Sequence, residues 1–262
     1  MTNAKSAWFP NAHAGLRVAL KLFCLPYAGG TSAIYRRWAG LLPPTVQVIP
    51  VELPGRGARL KEPPYVSMPA LINDLGDAMA PLLDTPFAFF GHSMGAIIAF
   101  ELARSMRRRY GRQPEALFPS GRRAPQSPRT EPITYNLPKD EFIEELERIG
   151  GTPKEVLEHA ELMDVMIPLV RADFELVQTY EYIADVPLRC PIIAYVGLDD
   201  DEETRDLLSR WKEQTSSQFK LHTLAGDHFF LQQSESLLLK LLSQELSEVM
   251  ARSRQNDPSA IG

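Results

Sequence analysis

Residues 91–95, Gly91-His92-Ser93-Met94-Gly95, directly follow a short and wholly apolar run at 87–90. They directly precede a run at 94–109 that is apolar nearly all round, through Ala96, Ile97, Ile98, Phe100, Leu102, Ala103 and Met106. A strand that passes through so tight a turn into a buried helix belongs to a mostly parallel sheet covered on both faces. In that setting the G-x-S-x-G pattern reads as a nucleophile elbow. The turn lifts Ser93 clear of the sheet, and small residues at 91 and 95 relieve crowding. The helix start beneath it offers unpaired N–H groups and a positive dipole end to an oxyanion.

The rest of the chain agrees with that architecture. Runs at 17–25, 46–52, 116–120, 192–196 and 219–224 are strand-like in length and composition. Between the first two, Ile34, Trp38, Leu41 and Leu42 have the spacing of one buried helical stripe. Ser67 is placed to cap a helix to about Leu83, with Pro69 tolerated in its first turn, and 233–249 closes the chain as a helix. The alternation fails only between about 127 and 185. There, helical stretches at 140–149 and 154–182, the second interrupted at Pro168, predict an all-helical lid over the strand ends. A long crossover without a role is the alternative. The expectation is therefore a single α/β domain over 1–262 with a helical lid at about 127–185.

A serine hydroxyl needs a base to take its proton and an acid to orient that base. In this architecture they follow the serine in the order acid, then histidine. His13 and His92 precede the acid, His159 lies in the helical insertion, and His222 alternates within a strand. That leaves His228, in the polar loop Gly226-Asp227-His228. The acid belongs to the run Asp199-Asp200-Asp201-Glu202-Glu203 after the strand at 192–196. Asp200 is favoured, with Asp199 next and Asp227 as an alternative. Several adjacent carboxylates cannot all be buried as charges, so all but one should be solvated. The two N–H donors an oxyanion requires are assigned to Met94, after the nucleophile, and to Ala28, in the loop Leu25-Pro26-Tyr27-Ala28-Gly29-Gly30. Gly29-Gly30 could equally be a plain strand-to-helix turn.

Composition narrows the remaining classes. The chain has 262 residues, 44% of them hydrophobic, enough for a continuous core. Net charge is −5, which argues against a nucleic-acid partner. The charge is unevenly distributed, with +9 over residues 1–130 and −14 over 131–262. Cys24 and Cys190 lie in apolar runs and read as reduced core residues. No run approaches the roughly 18 apolar residues of a membrane helix, and no secretory signal is recognisable, so a soluble cytoplasmic protein is expected.

With these residues in place the sequence resembles the type II thioesterases, discrete editing hydrolases that work beside polyketide synthases and nonribosomal peptide synthetases. The likeness spans roughly 22–248 and rests on LFCLPYAGG (22–30), ELPGRG (52–57), PFAFFGHSMGA (86–96), SGRRAP (120–125), GGTP (150–153), PLVRAD (168–173) and GDHFFL (226–231). It implies an α/β-hydrolase fold that cleaves acyl thioesters on the phosphopantetheine arm of an acyl- or peptidyl-carrier protein. No cofactor or metal is implied, and nothing calls for a membrane or a dimer. Ser93 and His228 match the family's nucleophile and base, its G-x-x-D acid falls on Gly197 and Asp200, and its oxyanion donors fall on Ala28 and Met94. Alternatives on the same fold are a medium-chain fatty acyl thioesterase acting on fatty acid synthase and a general carboxylester hydrolase. Three departures stand out: extra carboxylates around Asp200, Asp227 where glycine is common, and Pro119 inside a strand, which should end early or bulge. The arginines at 104, 107, 108, 109 and 112, with Arg122 and Arg123, are a candidate basic face for an acidic carrier. Leu162, Met163, Met166, Ile167, Leu169, Val170 and Phe174 are candidates for an acyl channel or for plain core.

Overall fold

The computed structural model describes residues 7–10, 18–129, 131–152, 154–199 and 202–255. Six strands form one all-parallel sheet in the order β2-β1-β3-β4-β5-β6. They are β1 (Leu20–Leu25), β2 (Val46–Pro50), β3 (Phe87–His92), β4 (Leu117–Ser120), β5 (Ile192–Gly197) and β6 (Phe219–Leu224). Every residue of β1 to β5 is buried, as continuous apolar strands require when both faces are covered. Alternation along β3 divides the core. Phe87 and Phe89 pack with α1 (Met68–Met79) and α2 (Met94–Tyr110), while Ala88 and Phe90 face Tyr35, Trp38 and the closing helix α8 (Glu235–Gln255). The strand order reverses between β1 and β3, so the loops leaving their carboxyl ends emerge side by side, the position where open α/β sheets bind ligands. No helix among the described residues is long and apolar enough to cross a membrane. Cys24 and Cys190 are buried free thiols, and burial pushes Cys190 up to about 12.

Between β4 and β5 lie α3 (Lys139–Ile149), α4 (Lys154–Leu157) and α5 (Ala160–Gln178), built around their own cluster of Phe142, Leu146, Met163, Ile167 and Val170. Helix α5 runs straight through Pro168, and the expected interruption falls earlier, at Glu158-His159. Pro168 sits on the exposed face, so the carbonyl it leaves unpaired one turn back faces solvent. His159 caps α5, its Nδ1 accepting from the Leu162 N–H at 3.4 Å.

Two further expectations are corrected. The stripe at 34–42 is not an α-helix but two 3₁₀ turns, Ser32–Tyr35 and Trp38–Gly40. Leu41 is 52% exposed, while Tyr35, which ends the first turn, and Trp38, which opens the second, meet edge-on at 4.8 Å. Tyr35 further anchors the segment by donating to the Leu25 carbonyl at 2.7 Å. Pro119 does not end β4, which stays in register with β3 through Ser120; the gap is in the β4–β5 pairing, recorded only at Leu117–Ile192 and Ser120–Tyr195. Beyond β5, helix α6 (Glu202–Ser209) is anchored by buried Leu208.

The arginines of α2 do not form a free basic face. Asp185 receives Arg107 at 2.7 Å, Arg108 at 3.2 Å and Arg104 at 3.7 Å, Arg109 pairs with Asp77, and Arg112 donates to the Leu83 carbonyl at 2.8 Å. Arg104, Arg107, Arg108 and Arg109 sit ten or more positions after Met94, about 15 Å or more along the helix axis.

Candidate active site

Ser93 has φ 53° and ψ −113°, and among the described residues it is the one non-glycine residue with positive φ. Backbone strain of about 1–3 kcal/mol persists only where the surroundings over-determine it. Here its N–H is held by the Ser120 carbonyl at 2.8 Å, and the flanking glycines permit close approach on both sides. A Cβ on Gly91 would lie 2.1 Å from the Gly95 carbonyl oxygen, and one on Gly95 would lie 2.2 Å from that of Leu25. Met94 opens α2, so its N–H belongs to the unpaired first turn of the helix.

His228 lies in the loop between β6 and the short helix α7 (Phe230–Gln233). Its position is set from below by His92, whose Nε2 is 2.9 Å from the His228 carbonyl and whose Nδ1 is 2.8 Å from Ser120 Oγ. A carbonyl can only accept, so His92 carries its hydrogen on Nε2 and accepts the Ser120 hydroxyl at Nδ1. Burial pushes its pKa well below the usual histidine value, which keeps it neutral. The two imidazoles lie 5.3 Å apart, centroid to centroid. Burial first, then the Arg122 guanidinium, lowers His228 to about 4 against the opposing pull of Asp227. A neutral imidazole is the form that accepts a proton.

The acid loop is fastened to the same place: Leu198 donates to the Leu224 carbonyl at 2.7 Å and Asp199 to that of Gly226 at 3.1 Å. The Asp199 side chain is exposed, and Asp200 lies outside the described residues. The Asp227 carboxylate accepts from the Phe229 N–H at 2.7 Å and from Gln233 Nε2 at 3.1 Å, capping the short helix. His222 pairs with Glu245 at 2.8 Å, the satisfied strand histidine that its alternation predicts.

The loop after β1 is clamped. The Gly30 N–H donates to the Tyr27 carbonyl at 2.9 Å and the Gly29 N–H to Asp173 Oδ2 at 2.7 Å. Asp173, on α5, takes a two-pronged bond from Arg56 at 2.9 and 2.7 Å, and Arg56 also donates to the Gly30 carbonyl at 3.1 Å. Both side chains are 2% exposed. This pair, 117 residues apart in sequence, escapes a sequence reading, although ELPGRG and PLVRAD each carry one member.

Ala28, Ser93, Met94 and His228 all line one cavity of ≈ 430 Å³. Its far wall is the helical insertion, through Ile149, Met166, Val170 and Phe174. Met163 and Ile167 belong instead to the core of the insertion, and Leu162 is 46% exposed, so the apolar set divides between channel and core.

An open parallel sheet with a strained serine between strand and helix, beneath helices inserted after β4, is the architecture of an α/β-hydrolase. A family model described as "Thioesterase domain" matches residues 20–244. Gramicidin S biosynthesis protein GrsT of Aneurinibacillus migulanus is 40% identical over 244 residues, covering 93% of this chain and 95% of that one. Among solved structures, the RedJ thioesterase from the prodiginine pathway of Streptomyces coelicolor superposes with TM-score 0.81 at 36% identity, over 94% of this chain and 96% of its own. The type II thioesterase BorB from the borrelidin cluster gives 0.80 at 37% identity, over 91% and 94%. The chain belongs to the thioesterase family and is a hydrolase acting on thioesters.

Proposed function

We propose that this chain is a type II, editing thioesterase that clears acyl groups from the phosphopantetheine arms of carrier proteins in a polyketide or nonribosomal peptide assembly line. The observation that carries the reading is likeness along almost the whole chain to GrsT of gramicidin S biosynthesis and to the type II thioesterase BorB. Ser93 is the nucleophile, His228 the base, Asp200 the orienting acid, and the N–H groups of Ala28 and Met94 the oxyanion donors. His228 takes the Ser93 proton as the serine oxygen attacks the thioester carbonyl, and the developing oxyanion is held by the two amides. The C–S bond then breaks and the pantetheine sulfur leaves with the proton from His228. Water enters, gives a proton to His228 and attacks the acyl-serine, and collapse releases the acid and returns the proton to Ser93. Residues 127–185 serve as a lid on a single domain, and the enzyme works in the cytoplasm as a monomer.

The test follows acyl loss by intact-protein mass spectrometry from a panel of acylated carrier proteins. Wild type is expected to deacylate short acyl carriers and Ser93→Ala to leave them loaded. Preference for p-nitrophenyl esters over carrier thioesters would instead mark a carboxylester hydrolase, and preference for medium-chain acyl carriers of fatty acid synthase would mark a fatty acyl thioesterase. Equal activity of Ser93→Ala would remove the serine mechanism.

A further inference from the structure

Building on the thioesterase reading, we propose that Arg122 forms an anion subsite within the acyl cavity and selects acyl groups that carry a carboxylate close to the thioester. The ligand class is the half-thioester of a short dicarboxylic acid. Arg122 lines the cavity together with Ser93 and His228. Its backbone is fixed by fully buried Trp211, whose Nε1 donates to the Arg122 carbonyl at 2.8 Å. Among the described residues its guanidinium makes no hydrogen bond or ion pair, and its Nε is buried without a partner.

The other charged groups on the cavity wall are matched. Arg123 meets Glu131 at 2.5 Å, Arg148 meets Glu145 at 2.7 Å, and Asp173 is held by Arg56 at 2.7 Å. Arg129, at the exposed rim, donates to the Gln178 carbonyl. Glu131, the carboxylate that acts on Arg122 from a distance, is already in its pair with Arg123. A half-buried guanidinium with no counterion among the described residues gains charge-assisted bonds from a ligand carboxylate that supplies one. Burial has already lowered Arg122 to about 10.

The location assigns the anion to the acyl side. Arg122 stands two residues after Ser120, whose carbonyl holds the Ser93 N–H, and its positive charge acts on His228. The phosphate of a pantetheine arm is separated from its sulfur by two amide-linked segments, so it lies far from a carbonyl seated on Ser93. By the same sign, an acyl group bearing an ammonium is disfavoured in this cavity.

The experiment compares kcat/KM of the full chain for succinyl- and butyryl-thioesters, matched in length, each on pantetheine and on phosphopantetheine. Arg122→Gln is expected to lower the succinyl:butyryl ratio at least about tenfold, with Arg122→Lys intermediate. An unchanged ratio overturns the proposal. A change confined to the phosphopantetheine:pantetheine ratio overturns it too, by assigning the subsite to phosphate. If Arg122→Gln does not fold, the wild type decides. Succinate should inhibit butyryl-pantetheine hydrolysis at least about tenfold more tightly than butyrate, and equal inhibition counts against the subsite. Failure of the underlying thioesterase reading looks different: neither thioester is hydrolysed, or Ser93→Ala hydrolyses both.

Discussion

Ser93 is presented by its backbone, and its neighbours are chosen by clearance. Gly95→Ala drives a methyl group into the Leu25 carbonyl, where backbone meets backbone and neither can yield. We expect that variant to lose soluble expression or all thioester hydrolysis, and a fully active Gly95→Ala would show the turn to be looser than described. The lowering of His228, the proposed base, sets the expected pH dependence. The base stays neutral until the pH falls through about 4, so kcat/KM should hold down to that region rather than decline near 6.5. Stopped assays on a small acyl-pantetheine substrate would read this, and an acid limb centred at 6.5 would contradict it. The meeting of Ser93 and His228 on one cavity was legible because the elbow is a contiguous motif and chain order sets the other histidines aside. His92 was set aside as a base by the same chain order. Its contribution, a hydrogen bond to the His228 carbonyl, has no sequence signature because the partner is a main-chain atom 136 residues away.

Among the elements, α5 and the loop after β1 depend on each other through Asp173. Asp173→Ala leaves Arg56 buried and uncompensated, a loss of about 3–5 kcal/mol, and frees the Gly29 amide beside the proposed donor Ala28. Denaturant unfolding should register that loss, with a smaller one for Asp173→Asn, and kcat should fall more than KM rises. An Asp173→Ala protein as stable as wild type would refute the clamp. The strands were readable to within three residues at each end, since burial on both faces leaves apolar runs that little else explains. Periodicity misled where geometry rather than hydrophobicity decides. Residues 32–40 form 3₁₀ turns because Tyr35 and Trp38 pack as a pair, and α5 tolerates Pro168 because that face meets solvent.

For the molecule as a whole, the sequence separates charges that the fold brings together. Arg56 with Asp173 and Arg107 with Asp185 join the basic first half to the acidic second, so the imbalance along the chain is partly cancelled in space. Two histidines resist protonation in the folded state, His92 strongly and His228 down to about 4. Below about 6.5 the unfolded chain binds protons that the folded one refuses, so stability should fall as pH drops from 6.5 towards 4. Melting temperature measured between pH 6.5 and 5, above the carboxylate range, isolates this effect, and a flat profile there would contradict it. The bond from Gly29 to Asp173 has one more consequence. Lifting α5 to admit a large acyl chain would also withdraw the anchor of the amide turn facing Ser93. Access and competence would then be coupled: with α5 lifted, the turn that carries the proposed donor Ala28 would lose the carboxylate that holds its Gly29 amide.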